Sequence, residues 1–130
     1  MILPAISIRQ PWAWAILHAG KDVENRTWDL PRKFIGRPIL IHAGKRIYQE
    51  DVTHLLHLGL SVPIDGDLKR GGIVGVTVFS GCGYDSNSLW ADMGMCNWRI
   101  DTSRTRTLPF IPCFGRLGFF SVDYPYEVAQ

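Results

Sequence analysis

The chain is short of several things that would commit it to a function. No stretch approaches the ~18–20 consecutive apolar residues that a membrane-spanning helix needs. No basic flank precedes the first apolar residues, so the sequence predicts neither a secretory leader nor a membrane partner. Cysteine is scarce: Cys82, Cys96 and Cys113 are odd in number and contain no CxxC pair. They read as reduced thiols of a cytoplasmic protein, not as a disulfide frame or a zinc site. There is no GxSxG elbow, no glycine loop of Walker type and no cysteine in an activated setting, which leaves nucleophilic and phosphate-cradling catalysis thinly supported. Repeats and low-complexity tracts are absent as well.

What is present describes one globular domain over residues 1–130. The apolar fraction is 46% and the charged fraction 20%, close to the average for chains that close their own core. The net charge of +2 conceals an uneven spread. Residues 1–46 carry eight Lys/Arg against three Asp/Glu, residues 47–95 carry two against six, and residues 96–130 carry four against three. A basic N-terminal third suits a polyanionic partner, because Lys and Arg gain by displacing counterions from phosphates. The same charges could equally scatter over the surface.

Ala5-Ile6-Ser7-Ile8 alternates like a strand. Pro11 then opens a helix whose Trp12, Ala15, Ile16 and Ala19 share a face, and Gly20 stops it. Asp22 to Trp28 reads as extended, with Glu24 and Arg26 on a common side. Pro31 to Gly36 is a basic turn, and Arg37 to Ala43 a buried strand. A connection through Gly44, Lys45 and Arg46 leads to a helix over about 47–58, with Val52, Leu55 and Leu56 as its stripe and Gly59 at its end. Ser61 to Arg70 is turn-rich around Asp65-Gly66. Gly72 to Ser80 is the strongest strand, its glycines marking places where another backbone comes close. Residues 81–95 read as loop, 97–100 as a short strand, Leu108 to Pro112 as a proline-braced connector, and 117–122 as a last strand. Separated strands, two helices and no βαβ rhythm predict an α+β domain around a small curled sheet or barrel.

Three groupings could carry chemistry. Lys21, Glu24 and Arg26 combine acid, base and bidentate fork, fit for a planar polar ligand or for acid–base work. Spacing alone favours the plainer reading, an ion pair between Glu24 and Arg26 with Lys21 in solvent. Trp12, Trp14, Trp28, Trp90 and Trp98 offer faces for unstacked bases, worth ~1–3 kcal/mol each, although at least two are expected in the core. Of the histidines, His54 and His57 lack a metal signature, and His18 complements a helix end. His42 is a polar residue within an apolar strand, either satisfied in the core or turned into a cleft.

Taken together, these residues resemble the ASCH domain, the activating-signal-cointegrator homology domain of the PUA-like superfamily. The resemblance is carried by Ser7, Gln10-Pro11-Trp12, Gly20-Lys21, Glu24, Arg26 and Trp28. It continues through Gly36-Arg37-Pro38, Ile41-His42-Ala43, Gly72-Ile73-Val74-Gly75, Trp90, Trp98 and Phe114 to Phe119. It implies a small PUA-like β-barrel flanked by helices, with a cleft beside the first helix, and a nucleic-acid partner. The family's Lys-x-x-Glu-x-Arg element falls on Lys21, Glu24 and Arg26. Some small relatives are amidohydrolases on acetylated cytidine, and one branch is described as a ribonuclease. The amidohydrolase pattern matches Lys21 but has threonine where this chain has Glu24, and a carboxylate cannot stand in for that hydroxyl.

The resulting expectation is a cytoplasmic module binding RNA, a nucleobase or a nucleotide without cofactor or metal. Ser7, Arg9, Gln10, Trp12, Lys21, Glu24, Arg26, Trp28, His42, Lys45 and Trp98 would form the ligand site. Arg9, Lys33, Lys45 and Arg46 would meet phosphates, Lys21, Glu24 and Arg26 would read polar edges, and Trp28 or Trp98 would stack. The alternatives are a small hydrolase on RNA or modified nucleosides, with Lys21 and Glu24 as its catalytic pair, and a protein-interaction scaffold.

Overall fold

The computed structural model describes residues 1–63 and 68–128. The Asp65-Gly66 turn lies outside the described residues. Seven strands and two α-helices follow one another as β1 (Ile2–Gln10), α1 (Trp12–His18), β2 (Val23–Arg26), β3 (Pro38–Ile47), α2 (Gln49–His57), β4 (Gly72–Gly83), β5 (Cys96–Ile100), β6 (Arg106–Pro112) and β7 (Phe119–Asp123). No described helix is long and apolar enough to cross a membrane.

The strands form one mixed sheet in the order β2-β5-β4-β3-β1-β7, with β6 also paired to β4. Only β1 and β3 run parallel; the other pairs are antiparallel. Both faces of the central strands are covered, which explains why PILIHA reads as a continuous apolar run and not as an alternation. Ile6, Ile8, Ile39, Ile41, Val74, Phe79 and Trp98 pack with Ala13 and Ile16 of α1 on one face. Leu3, Ala5, Leu40, Ile73, Val76, Val122 and Tyr124 make a second core on the other.

The predicted barrel does not close through hydrogen bonds, since β2 and β7 end the ladder without pairing to each other. Aromatic rings fill the place of that missing ladder. Trp98 of β5 stacks on Phe119 of β7 at 5.7 Å between centroids and 4° between planes. Phe34 lies 3.9 Å from Phe119, and Trp28 meets Trp98 edge-on at 4.7 Å. Each such pair adds ~0.5–1.5 kcal/mol beyond the area it buries.

The helix α1 follows its sequence signals closely. Gly20 adopts φ 73°, and the Lys21 backbone N–H returns to the Ala15 carbonyl at 3.1 Å, so the chain reverses straight into β2. Three local readings are corrected. β3 runs on through Gly44-Lys45-Arg46 instead of ending at Ala43. Leu108 to Pro112 belongs to an edge strand in which Pro109 falls at a register shift and Pro112 lies opposite Gly72. In α2 the buried positions are Asp51 and Leu55, while Leu56 is exposed.

The glycines of β4 behave as expected. A Cβ on Gly72 would stand 2.2 Å from the Ile111 carbonyl oxygen, and one on Gly75 would meet Leu17 and the Arg106 carbonyl. The loop after β4 is anchored by side chains. Asn25 Nδ2 donates to Trp90 O, and buried Asn97 donates to Asn25 Oδ1 at 2.9 Å.

Candidate functional site

The Lys21, Glu24 and Arg26 side chains meet in one buried triad. Glu24 divides its carboxylate, Oε1 accepting from Lys21 Nζ at 3.3 Å and Oε2 from Arg26 Nε at 3.0 Å and Nη2 at 2.9 Å. Lys21 also donates to the Val23 carbonyl at 2.5 Å, and its ammonium lies 5.7 Å from the Trp12 ring. The Glu24–Arg26 pair expected from spacing is present, but Lys21 is not in solvent. It is 3% exposed, and Glu24 7%. Charges buried this deeply persist only when paired. Both oxygens of Glu24 are committed, so the triad is a structural brace in this conformation and not a free acid–base couple.

Arg26 extends the brace to β1. Its Nη2 donates to the Ser7 carbonyl at 2.9 Å. Ser7 and His42 are register partners on the parallel strands β1 and β3, so their side chains emerge side by side. Ser7 Oγ lies 2.9 Å from His42 Nδ1, and His42 Nε2 lies 2.8 Å from the Cys113 carbonyl oxygen. A carbonyl only accepts, so Nε2 carries a proton. In the neutral ring Nδ1 is then the acceptor and the Ser7 hydroxyl the donor. His42 is thus both things the sequence allowed, a satisfied buried histidine and a wall of a cavity.

That cavity measures about 270 Å³ and is lined by Ser7, His42, Gly44, Lys45, Gly71 and the segment Cys113-Phe114-Gly115. Gly115 has to be glycine here, because a Cβ would sit 2.8 Å from His42 Cε1 and 3.0 Å from Ser7 Oγ. At the rim the Lys45 ammonium stands 5.6 Å from the Phe114 ring, and Phe114 is 84% exposed. Arg70 donates to the Lys45 carbonyl at 3.3 Å, and the Lys69 carbonyl accepts from Gln10 Nε2 at 2.9 Å. Arg70 therefore lies beside Lys45, although it belongs to the acidic middle of the sequence, whereas the Lys69 ammonium lies over the Phe110 ring. Cumulative charge along the chain could not show that; the β3–β4 pairing creates it.

Other predicted site residues have different employment. Trp98 is fully buried, gives its indole N–H to the Trp28 carbonyl at 3.1 Å and stacks on Phe119, so it cannot take a base without opening the core. Trp28 is half-buried against it. Gln10 is buried and spends its amide on Lys69 O and on the Trp14 N–H. Arg9 holds Asp51 through Nε at 2.8 Å and Nη2 at 3.3 Å, and lies over the Tyr48 ring. Lys33 lies against Phe34, and Arg46 is exposed. Trp12 packs edge-on to His54, which accounts for one histidine of α2.

These residues lie mostly within one family match. The ASCH domain family model matches residues 6–105. The chain belongs to the ASCH domain family. No curated protein matches it. In this ASCH domain Lys21, Glu24 and Arg26 form the brace, and Ser7 is the point where the brace reaches the cavity. Sequence reasoning missed Phe114 as a site residue. The signal was an aromatic set among glycines and an arginine in CFGRLG, whose Leu117 is 100% exposed.

It also missed the grouping of two cysteines. Asp29, Cys82 and Cys96 converge at the far end of β4, although the absence of a CxxC spacing pointed to isolated thiols. Cys96 Sγ donates to Asp29 Oδ1 at 3.5 Å, and Tyr84 Oη donates to the same oxygen at 3.0 Å. Burial, reinforced by Cys82 and Asp29, pushes the Cys96 thiol up to about 11. The hydrogen bond to Asp29 and its negative charge push the Tyr84 phenol to about 12.

Proposed function

We propose that this ASCH domain binds single-stranded RNA or a nucleotide at the Ser7–His42 cavity. One observation carries the reading: an exposed aromatic ring, Phe114, and an ammonium, Lys45, flank a small cavity lined by the Ser7–His42 pair. A volume of about 270 Å³ lies just below the ~300–1,000 Å³ typical of ligand pockets, a size for a base or nucleoside. Phe114 supplies the stacking face, the Ser7 hydroxyl oxygen an acceptor, and Lys45 and Arg70 the phosphate contacts. The Lys21–Glu24–Arg26 brace holds Ser7 in register and takes no direct part. The PUA-like barrel belongs to the same reading, with the Trp98–Phe119 seam in place of a closing ladder, as does a reducing, cytoplasmic setting for three free thiols.

Fluorescence anisotropy with a labelled single-stranded RNA over a salt series tests it. Each phosphate neutralised contributes ~0.7 to the slope of log K against log salt for single strands. Lys45→Ala should lower the slope by about that amount. Absence of binding at low salt would refute the proposal.

A second reading rests on the Ser7–His42–Cys113 carbonyl arrangement. A hydroxyl donating to an imidazole whose far nitrogen is held by an acceptor is the geometry of an activated nucleophile. It transfers the hydrolase alternative from Lys21 and Glu24 to Ser7 and His42. Turnover of acylated nucleosides that Ser7→Ala abolishes would favour it, and equal turnover by both proteins would dismiss it.

A further inference from the structure

We propose that Asp29, Cys82 and Cys96 form a binding site for a thiophilic divalent cation, with zinc as the best match. The three donors come from separate elements: Asp29 from the turn after β2, Cys82 from β4 and Cys96 from β5. Their ligand atoms all lie within 4.8 Å of one another. Zinc sites have Zn–S bonds of ~2.3 Å and Zn–O bonds of ~2.0–2.2 Å, so tetrahedral angles set S···O near ~3.5 Å and S···S near ~3.8 Å. The observed Cys96 Sγ to Asp29 Oδ1 distance is 3.5 Å, the length of a tetrahedral edge.

A disulfide fits the same pair less well. Register places Cys82 opposite Trp98 and Gly83 opposite Asn97, so Cys82 and Cys96 are diagonal neighbours. Diagonal residues have Cα atoms ~7–8 Å apart, beyond the ~4.4–6.8 Å that a disulfide spans. A cation placed between the sulfurs needs no such approach. Two thiolates and a carboxylate also make a softer set than magnesium or calcium selects.

The fourth corner is open. Asp29 and Cys82 line a cavity of about 740 Å³ together with Tyr84, Arg32 and Arg99. Water or the Tyr84 phenol, 3.0 Å from Asp29 Oδ1, can complete the coordination. The two guanidiniums at the wall offset the negative charge that remains once the cation is bound. No residue lines both this cavity and the Ser7–His42 cavity, so the proposal stands apart from nucleic-acid binding.

The test titrates the full chain, stripped of metal and kept reduced, with cobalt(II) and then zinc. A 1:1 thiolate-to-cobalt charge-transfer absorption that zinc abolishes is the expected result. Cys82→Ser and Asp29→Asn should each weaken cobalt binding by more than the ~10–100-fold lost with a second-shell partner. Cys96→Ser should do the same, and because Cys96 is buried, circular dichroism must first show that variant folded. Asp29 is exposed, so Asp29→Asn keeps the test decisive even if the Cys96 variant unfolds. Cys113→Ser should leave the absorption unchanged. No thiolate absorption in the folded wild type, or one that persists in Cys82→Ser and Asp29→Asn, overturns the proposal.

Discussion

Replacing Glu24 by glutamine removes one charge and almost no volume from the centre of the brace. Two cations then face each other across an amide that can accept from only one oxygen. Lys21 is 3% exposed and cannot rehydrate in place, while the Arg26 side chain, 21% exposed, is only partly open to water. Removing one partner of a buried pair costs ~3–5 kcal/mol. For a domain of this size that lowers the melting temperature by roughly 10–20 °C, scaling between small and mid-sized domains. Urea denaturation followed by circular dichroism measures the loss directly. Its dependence on salt discriminates further, because buried pairs are screened far less than exposed ones over a Debye length of ~3 Å at 1 M. A loss below about 1 kcal/mol, the value of an exposed pair, or one that disappears at high salt, would refute the claim that the triad is a brace. Lys21→Met combined with Glu24→Leu should cost less than the sum of the single changes, since the pair leaves together.

Further outcomes follow from other features. Phe114→Ala should weaken single-stranded RNA binding by ~1–3 kcal/mol with little change in melting temperature, since the ring is 84% exposed; an unchanged affinity in anisotropy would remove it from the site. Gly72→Ala should lose at least ~1–3 kcal/mol in urea melts, because its Cβ would meet the Ile111 carbonyl at 2.2 Å, whereas Gly44→Ala, with nothing nearer than 3.7 Å, should lose much less. The Cys96 thiol has its native pKa raised from 9.0 to about 11, so it favours the fold while it holds its proton. Stability of the metal-free protein should fall as pH rises from 9.0 to about 11, and Cys96→Ala should flatten that decline in denaturation curves taken across the range.

Much of the frame was legible because it depends on local chemistry. Pro11 and Gly20 bracket α1, β-branched residues mark β4, and the glycines of β4 announced that another backbone would approach. The element left unread was β6, whose prolines disguise an edge strand as a connector. The site was legible residue by residue but not in its connections. Ser7 and His42 meet because β1 and β3 pair in parallel, Arg70 reaches Lys45 where the chain enters β4 beside β3, and Cys82 reaches Cys96 by the offset between β4 and β5. Each of these depends on strand register over long separations, which no local pattern encodes. Burial reversed two further expectations. Trp98 went to the core because its indole bridges the ends of an open sheet, and Lys21 went inside because Glu24 was there to meet it.

The aromatic seam also bears on how the molecule comes into being. Ile6 pairs with Phe119 and Glu24 with Trp98, so β2 and the second edge of β1 find their partners only in the last third of the sequence. A chain emerging from a ribosome carries β2 and one edge of β1 unpaired until β5 and β7 arrive. Dominance by such distant pairings places folding towards the slow end of the range for small domains, and the exposed strands are open to association in the interval. Ring stacking at the seam would then be a late event. The change in environment of Trp98 would report, within a single refolding trace, the moment at which the two ends of the sheet meet.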